Sequence, residues 1–180
     1  MASLSKPIVL VGLMGAGKST VGSRLANTLK LPFVDSDYEI EQAAGCSISD
    51  LFALYDEEIF RDLEKRVIKR LLNKQNLILA TGGGAYMQEP IREMISQKAF
   101  TVWLRADIEV LLDRVSRRDT RPLLAKGNKR KILSTLIKER YPIYEQANMI
   151  IDSGTGPHEA VVKTIVKRLR KEQPELFQGS

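Results

Sequence analysis

Residues 12–19 read Gly-Leu-Met-Gly-Ala-Gly-Lys-Ser. This fits G-x-x-x-x-G-K-[ST], a pattern in which each part answers a need of phosphate binding. Glycines let the main chain wrap an anion with no Cβ in the way, and successive N–H groups then point inward. A helix starting near Lys18 adds the positive end of its dipole. Lys18 can reach the outer phosphates of a nucleotide, and the Ser19 hydroxyl can bind Mg²⁺. A glycine-rich turn without a ligand would leave both residues unexplained. The motif thus points to nucleotide phosphates as the ligand and leaves the acceptor open.

Other residues could act on whatever receives the phosphate, and each has a plainer reading beside it. Asp35 and Asp37 flank Ser36. In an extended segment residues two apart share a side, so one carboxylate could hold a water of the Mg²⁺ shell while the other takes a proton. Alternatively, Asp37 caps a helix beginning at Tyr38. Arg61 and Glu64, three apart, make either a surface ion pair or a guanidinium fork for a carboxylate held in place by Glu64. Thr81-Gly82-Gly83-Gly84 is a tight turn or a place where a ligand approaches the backbone. Arg140, just before Tyr141-Pro142, complements a helix C-terminus or faces an anion. Residues 116–131 carry seven Lys or Arg with Pro122 and Gly127. That stretch is a charged loop, or a lid that closes over ATP and brings an Arg to the transferring phosphate.

The elements that must position these residues follow from the apolar pattern. Strands are expected at 8–11, 33–34 (ending at Asp35), 77–80, 101–104 and 149–151. Helices are expected at 18–29, 38–44, 57–72, 90–97, 107–115, 132–140 and 158–169. Gly45 stops one helix, and Ser47 with Asp50 has the spacing of a capping box. Strands alternating with helices imply right-handed crossovers and a parallel sheet covered on both faces. Ligands gather at the carboxyl ends of such strands. The glycine loop, Asp35 with Asp37, and glycines 82–84 all fall at strand ends, so they should meet in space.

The bulk numbers narrow the function further. A chain of 180 residues suits one domain with a real core. The balance of 28 Lys and Arg against 22 Asp and Glu gives +6, either a solvated basic surface or a site for a small anionic ligand such as a nucleotide phosphate or a carboxylate. The chain lacks a compact basic helix with interleaved aromatics, which places nucleic acid well behind. One cysteine, Cys46, and one histidine exclude an intrachain disulfide and a Cys/His zinc site. The apolar run 7–14 is too short for a membrane span and leads into the glycine loop. A cytoplasmic protein is expected, with residues 173–180 a frayed tail.

Together these pieces resemble the shikimate kinase family across nearly the whole chain, from Ile8 to about Leu169. The resemblance rests on Gly-Leu-Met-Gly-Ala-Gly-Lys-Ser-Thr at 12–20, Asp35-Ser-Asp37 after Phe33-Val34, and Phe60-Arg61-x-x-Glu64. It continues with Ala80-Thr-Gly-Gly-Gly84, Arg121-Pro-Leu-Leu124 and Arg140-x-x-x-Tyr144-x-x-Ala147. It implies an α/β protein, a three-layer α/β/α P-loop NTPase fold with five parallel strands ordered 2-3-1-4-5. It implies one kinase domain over 1–170, with a substrate-binding region near 36–62, a lid near 116–131 and a tail at 171–180.

The implied activity is transfer of the γ-phosphoryl group of ATP, with Mg²⁺, to the 3-hydroxyl of shikimate on the chorismate route to aromatic amino acids. By matching positions, Gly15, Ala16, Gly17, Lys18, Ser19 and Thr20 hold the phosphates, while Ser19 and Asp35 hold the metal, Asp35 through water. Asp37 contacts ring hydroxyls and acts as base. Arg61 and Arg140 clamp the carboxylate, Gly82 and Gly83 line the ring, and Arg121 is the lid arginine. A monomer without nucleic-acid or membrane partners is implied. Where some relatives carry an Arg after the last strand, this chain reads Ser153-Gly-Thr-Gly-Pro157, so contact there is expected from backbone. The nearest rival is another small-molecule or nucleoside monophosphate kinase, such as a gluconate-kinase-like enzyme; the rival from a different class is a nucleotide-binding regulatory module without transferase activity.

Overall fold

Four apolar residues in succession make Ile8–Val11 the central strand, β1, and all four side chains are completely buried. A strand buried on both faces needs a layer on each side of its sheet. The computed structural model, which describes residues 3–117 and 127–178, supplies those layers. Strands β2 (Phe33–Asp35), β3 (Ile78–Ala80), β4 (Phe100–Arg105) and β5 (Met149–Asp152) join β1. All pair in parallel, in the order β2-β3-β1-β4-β5, the arrangement expected from the resemblance. Ala80 stands level with Leu10 of β1 and with Asp35 of β2. The segments that follow these three strands therefore leave the sheet side by side.

The helices are α1 (Lys18–Leu29), α2 (Ser36–Ala44), α3 (Ile48–Leu54), α4 (Glu57–Leu71), α5 (Glu89–Lys98), α6 (Ile108–Ser116), α7 (Lys129–Tyr144) and α8 (His158–Glu172). Helix α1 packs on α8, α2 on α4, α4 on α5, and α6 on α7. Among the described residues no helix is long and apolar enough to cross a membrane.

Local chemistry sets several boundaries. Helix α2 begins two residues earlier than expected, because Asp35 rather than Asp37 is its N-cap and accepts the Asp37 N–H at 2.9 Å. Asp37 is thus a first-turn residue and not the cap. Gly45 ends α2 in a left-handed conformation, φ 71, as glycine at that position should. Ser47 caps α3, taking the Asp50 N–H at 3.1 Å. Asp50 is paired with the Ser47 hydroxyl itself at 2.7 Å, so the cap is closed between side chains rather than by the reciprocal backbone bond that Glu makes.

Two expectations fail for tertiary reasons. Helix α7 does not stop at Arg140 but continues through Pro142 to Tyr144. An interior proline costs about 3 kcal/mol, and the turn beyond it is anchored by both tyrosines. Tyr141 donates to the Ala106 carbonyl, Tyr144 to that of Gly83, and both rings pack on buried Trp103. Arg140 therefore lies inside a helix, which removes its reading as a C-terminal dipole partner. At the other end of α7 the Asn128 side chain accepts the Lys131 N–H at 3.2 Å, drawing Lys129, Arg130 and Lys131 out of the expected loop into the helix. The stretch expected to fray also carries structure. Pro174–Leu176 forms a 3-10 turn, and Phe177–Gln178 pairs antiparallel with Ser3–Leu4 over buried Leu4 and Leu176. Within the expected lid, residues 118–126, Arg121 included, lie outside the described residues.

Candidate active site

The segment after β1 turns back on itself, with the Ala16 N–H bonded to the Leu13 carbonyl at 3.1 Å. Gly17 is the N-cap of α1 at φ 96, left-handed backbone that a side chain rarely adopts. No side chain caps this helix, and its first turn carries no acidic residue. Its leading N–H groups and positive dipole end are thus open to an anion. Lys18 is only 8% exposed, and its ammonium bridges the carbonyls of Gly12 and Leu13 at 2.7 and 3.0 Å. That holds a positive charge across the mouth of the loop.

Beside the loop stands the end of β2. The Ser19 hydroxyl donates to Asp35 Oδ2 at 2.5 Å, while Asp35 Oδ1 is taken by the α2 cap. Two hard oxygens are thus held together next to the phosphate loop. A donor set this small suits Mg²⁺, which keeps several waters and takes further ligands from phosphate. Among the described residues no group of three or more His, Cys, Asp and Glu gathers to hold a metal.

The turn after β3 is where the acceptor-side residues meet. The Gly82 N–H donates to the fully buried Ser36 hydroxyl at 3.2 Å, tying the turn to the start of α2. A Cβ on Gly82 would fall 2.7 Å from Asp37 Oδ1, and one on Gly84 would fall 2.9 Å from both Nη1 and Nη2 of Arg61. Both side chains press against bare backbone, so the glycines serve close approach as well as the turn. Arg140 donates from Nη1 to the Gly83 carbonyl at 3.1 Å. Asp37, Arg61 and Arg140, from α2, α4 and α7, thus converge on three consecutive glycines.

The pair of Arg61 with Glu64 is not a surface ion pair. Arg61 donates from Nη1 to Glu64 Oε2 at 2.8 Å, and from Nε and Nη2 to Glu57 Oε1 at 3.3 and 3.2 Å. Its side chain is 28% exposed and that of Glu64 is 1%. Burial raises the Glu64 carboxyl above the ordinary range, Asp37 nearby adds to this, and Arg61 and Gln88 oppose it. A buried, partnered carboxylate fixes the guanidinium plane far better than an exposed one, because water no longer competes for the bond.

Two contributors carry no sequence motif. Arg114, on α6, donates to the carbonyls of Gly15, Ala16 and Gly154 at 3.2, 3.0 and 2.7 Å, and to Ser153 Oγ at 3.2 Å. It staples the phosphate loop to the segment after β5. It sits three residues beyond buried Leu111 and next to buried Val115, a flank position on the apolar stripe that could have flagged it. His158, which opens α8, lies against Gly17, with Cε1 3.2 Å from where a Cβ would stand.

A cleft of about 870 Å³ joins these parts. It is lined by the loop residues Gly15, Lys18 and Ser19, by Asp35 and Asp37, by Thr81 and Gly82, and by Arg114, Thr155 and His158. Arg61 and Arg140 are not among its lining residues; they meet it at the glycine turn, against Gly84 and Gly83. An anion cradle, two metal-suited oxygens, a carboxylate and two guanidinium groups beside it are the parts needed to move a phosphoryl group onto a hydroxyl of a small organic acid.

Comparison with known proteins agrees with that chemistry. A family model described as Shikimate kinase matches residues 14–170. The chain is 52% identical over 167 residues to a shikimate kinase of Caulobacter vibrioides (strain NA1000 / CB15N), spanning 93% of this chain and 84% of that protein. It is 46% identical over 171 residues to a shikimate kinase of Bartonella quintana (strain Toulouse), spanning 94% and 81%. Among solved structures it resembles shikimate kinase from Acinetobacter baumannii in complex with shikimate, with a TM-score of 0.90 and 38% identity over 93% of this chain and 94% of that one.

Proposed function

The chain belongs to the shikimate kinase family, and we propose that it transfers the γ-phosphoryl group of ATP to the 3-hydroxyl of shikimate, giving shikimate 3-phosphate and ADP. The observation that supports this reading is the common level at which β1, β2 and β3 end: Lys18 and Asp37 line one cleft, and Arg61 and Arg140 meet at the glycine turn whose Gly82 and Gly83 also line it.

The loop N–H groups and Lys18 bind the triphosphate and fix its direction. Arg61 and Arg140 hold the carboxylate of the acceptor across glycines 82–84, which turns its ring hydroxyls toward Asp37. Asp37 accepts the proton of the attacking hydroxyl as its oxygen bonds to the γ-phosphorus. The bond from that phosphorus to the bridging oxygen breaks, and the charge released onto ADP is held by Lys18 and the loop. Binding and charge stabilisation supply the catalysis, with no covalent enzyme intermediate. Ser19 and Asp35 would hold Mg²⁺, which would neutralise charge on the phosphates. Arg121 is assigned to the transferring phosphate as a lid arginine, and Arg114, Thr155 and Gly156 to the nucleotide's far end. The protein is taken to work as a monomer in the cytoplasm, which light scattering of the purified chain tests for the first part.

The deciding experiment is ADP release from Mg·ATP with and without shikimate, with the product identified by NMR. Release only with shikimate, with phosphate on the 3-hydroxyl, supports the reading. Release with gluconate instead, or with no acceptor in a broad panel, overturns it.

A further inference from the structure

Gln88 stands at the N-cap of α5, where a short polar side chain would normally bond the helix's own N–H groups. Its side chain makes no such bond. It reaches instead to α4, where Nε2 donates to Glu64 Oε2 at 2.6 Å. The same carboxylate oxygen accepts Arg61 Nη1 at 2.8 Å. An ionised carboxylate can only accept, so the contacting atom of the amide must be its nitrogen. Glu64 is thus gripped by one charged and one neutral donor in a nearly dry site.

The charged groups around that carboxylate are few. Arg61 lies on its own helix and Asp37 faces it from α2 across Gly82. Exposed Glu57, on the same helix, shares Arg61, while Arg92 and Arg140 bond to main chain, at the carbonyls of Tyr86 and Met87 and of Gly83. Gln88 is therefore the second donor that offsets burial and the nearby Asp37 charge. Being neutral, it does so without competing with Arg61 for the carboxylate's charge.

We infer that Gln88 is a positioning residue for the acceptor's carboxylate clamp, locking the Glu64 carboxylate onto Arg61 so that the guanidinium keeps its place over Gly84. The inference rests on the reading of Arg61 as a carboxylate ligand. Without the amide, Glu64 takes up a proton at higher pH, and a protonated Glu64 releases Arg61. Gln88→Met keeps the length and apolar stem of the side chain and removes the donor. Gln88→Glu puts two carboxyls in contact; they share one proton at acid pH and repel once it is lost.

The test is steady-state kinetics of the full chain with shikimate and Mg·ATP across pH, for wild type, both Gln88 variants and Arg61→Ala, with Tm measured for each. Gln88→Met is expected to raise KM for shikimate by about 3–30-fold, the scale of one charge-assisted hydrogen bond acting through a neighbour. The rise should steepen as pH falls and leave KM for ATP unmoved. Gln88→Glu should show the opposite slope, with KM for shikimate climbing as pH rises. If both variants keep the wild-type pH profile while Arg61→Ala raises KM for shikimate, the assignment of Gln88 fails and the clamp stands. If Arg61→Ala leaves that KM unchanged, the clamp itself is misplaced and the Gln88 assignment falls with it. Equal rises in both KM values with a lower Tm would mark Gln88 as merely structural and also overturn the proposal.

Discussion

Arg140 and Tyr144, one turn apart on α7, donate to the same acceptor, the Gly83 carbonyl, at 3.1 and 2.6 Å. Pro142 lies between them and has no N–H to give the Lys138 carbonyl, so the turn that presents both residues has one backbone bond fewer. Tyr144 is completely buried, and burial pushes its phenol far above the ordinary tyrosine value, so it remains a donor at any working pH.

Tyr144→Phe should therefore act on both the helix and the glycine turn. Gly83 keeps its bond from Arg140, so the loss of stability should be about 1 kcal/mol, the low end for a buried hydrogen bond. KM for shikimate should rise at the same time, because Arg140 must then hold the turn alone. Urea unfolding and initial rates check the two effects, and an unchanged KM would separate the tyrosine from the site.

Gly84→Ala tests the guanidinium position directly. The new methyl would stand 2.9 Å from two Arg61 nitrogens, the movable end of a long side chain. The fold can yield there at little cost, but Arg61 cannot keep its place. KM for shikimate should increase about 10–100-fold, as expected when a positioning group shifts by an ångström, while Tm and KM for ATP change little. A large fall in Tm with normal KM would mean that the glycine serves the turn and not Arg61.

How much of this was legible in the sequence depends on how local each feature is. The phosphate loop is eight consecutive residues in a strand–loop–helix setting, and it was legible to the residue. The sheet was legible through the alternation of elements. Asp37, Arg61 and Arg140 were legible as types, but their meeting is a product of strand order. Only a sheet that sets β3 between β1 and β2 brings the glycine turn to all three. Arg114, His158 and Gln88 are single residues outside any motif, and their partners lie 24 to more than 100 positions away. The continuation of α7 past Pro142 was hidden for the converse reason, since the local rule is sound and distant anchors override it.

Lys18→Met keeps a buried stem and removes the charge. The ammonium that bridges Gly12 and Leu13 is the group proposed to hold the phosphates, so turnover should fall by about 10²–10³ or more, the scale for loss of a preorganised electrostatic donor. A coupled assay at saturating ATP measures it, and near-normal kcat would remove Lys18 from its assigned role.

Asp37→Asn keeps the side chain's size and removes the proposed base. The carboxylate lies against Gly82, in the cleft that holds Lys18. A drop in kcat of about 10²–10⁴ is expected if it accepts the hydroxyl's proton. A change confined to KM would reduce it to a group that orients the ring.

Glu64→Gln sets stability against function. Burial, with Asp37 adding to it, raises the Glu64 carboxyl in the fold, against the opposing pull of Arg61 and Gln88. The folded protein therefore binds that proton more tightly than the unfolded chain, whose glutamate titrates near about 4.3. The group's contribution to stability is complete below that pH and is lost as pH rises through the higher folded value. A neutral glutamine carries no such loss. The variant should melt above wild type at pH 8, by about 2–4 °C for each kcal/mol, and the gap should close toward pH 4. Arg61 would at the same time lose its buried charged partner, so KM for shikimate should rise even as Tm does. A variant that melts below wild type by the same margin at both pH values would show that the Arg61 bond outweighs the burial of the carboxylate.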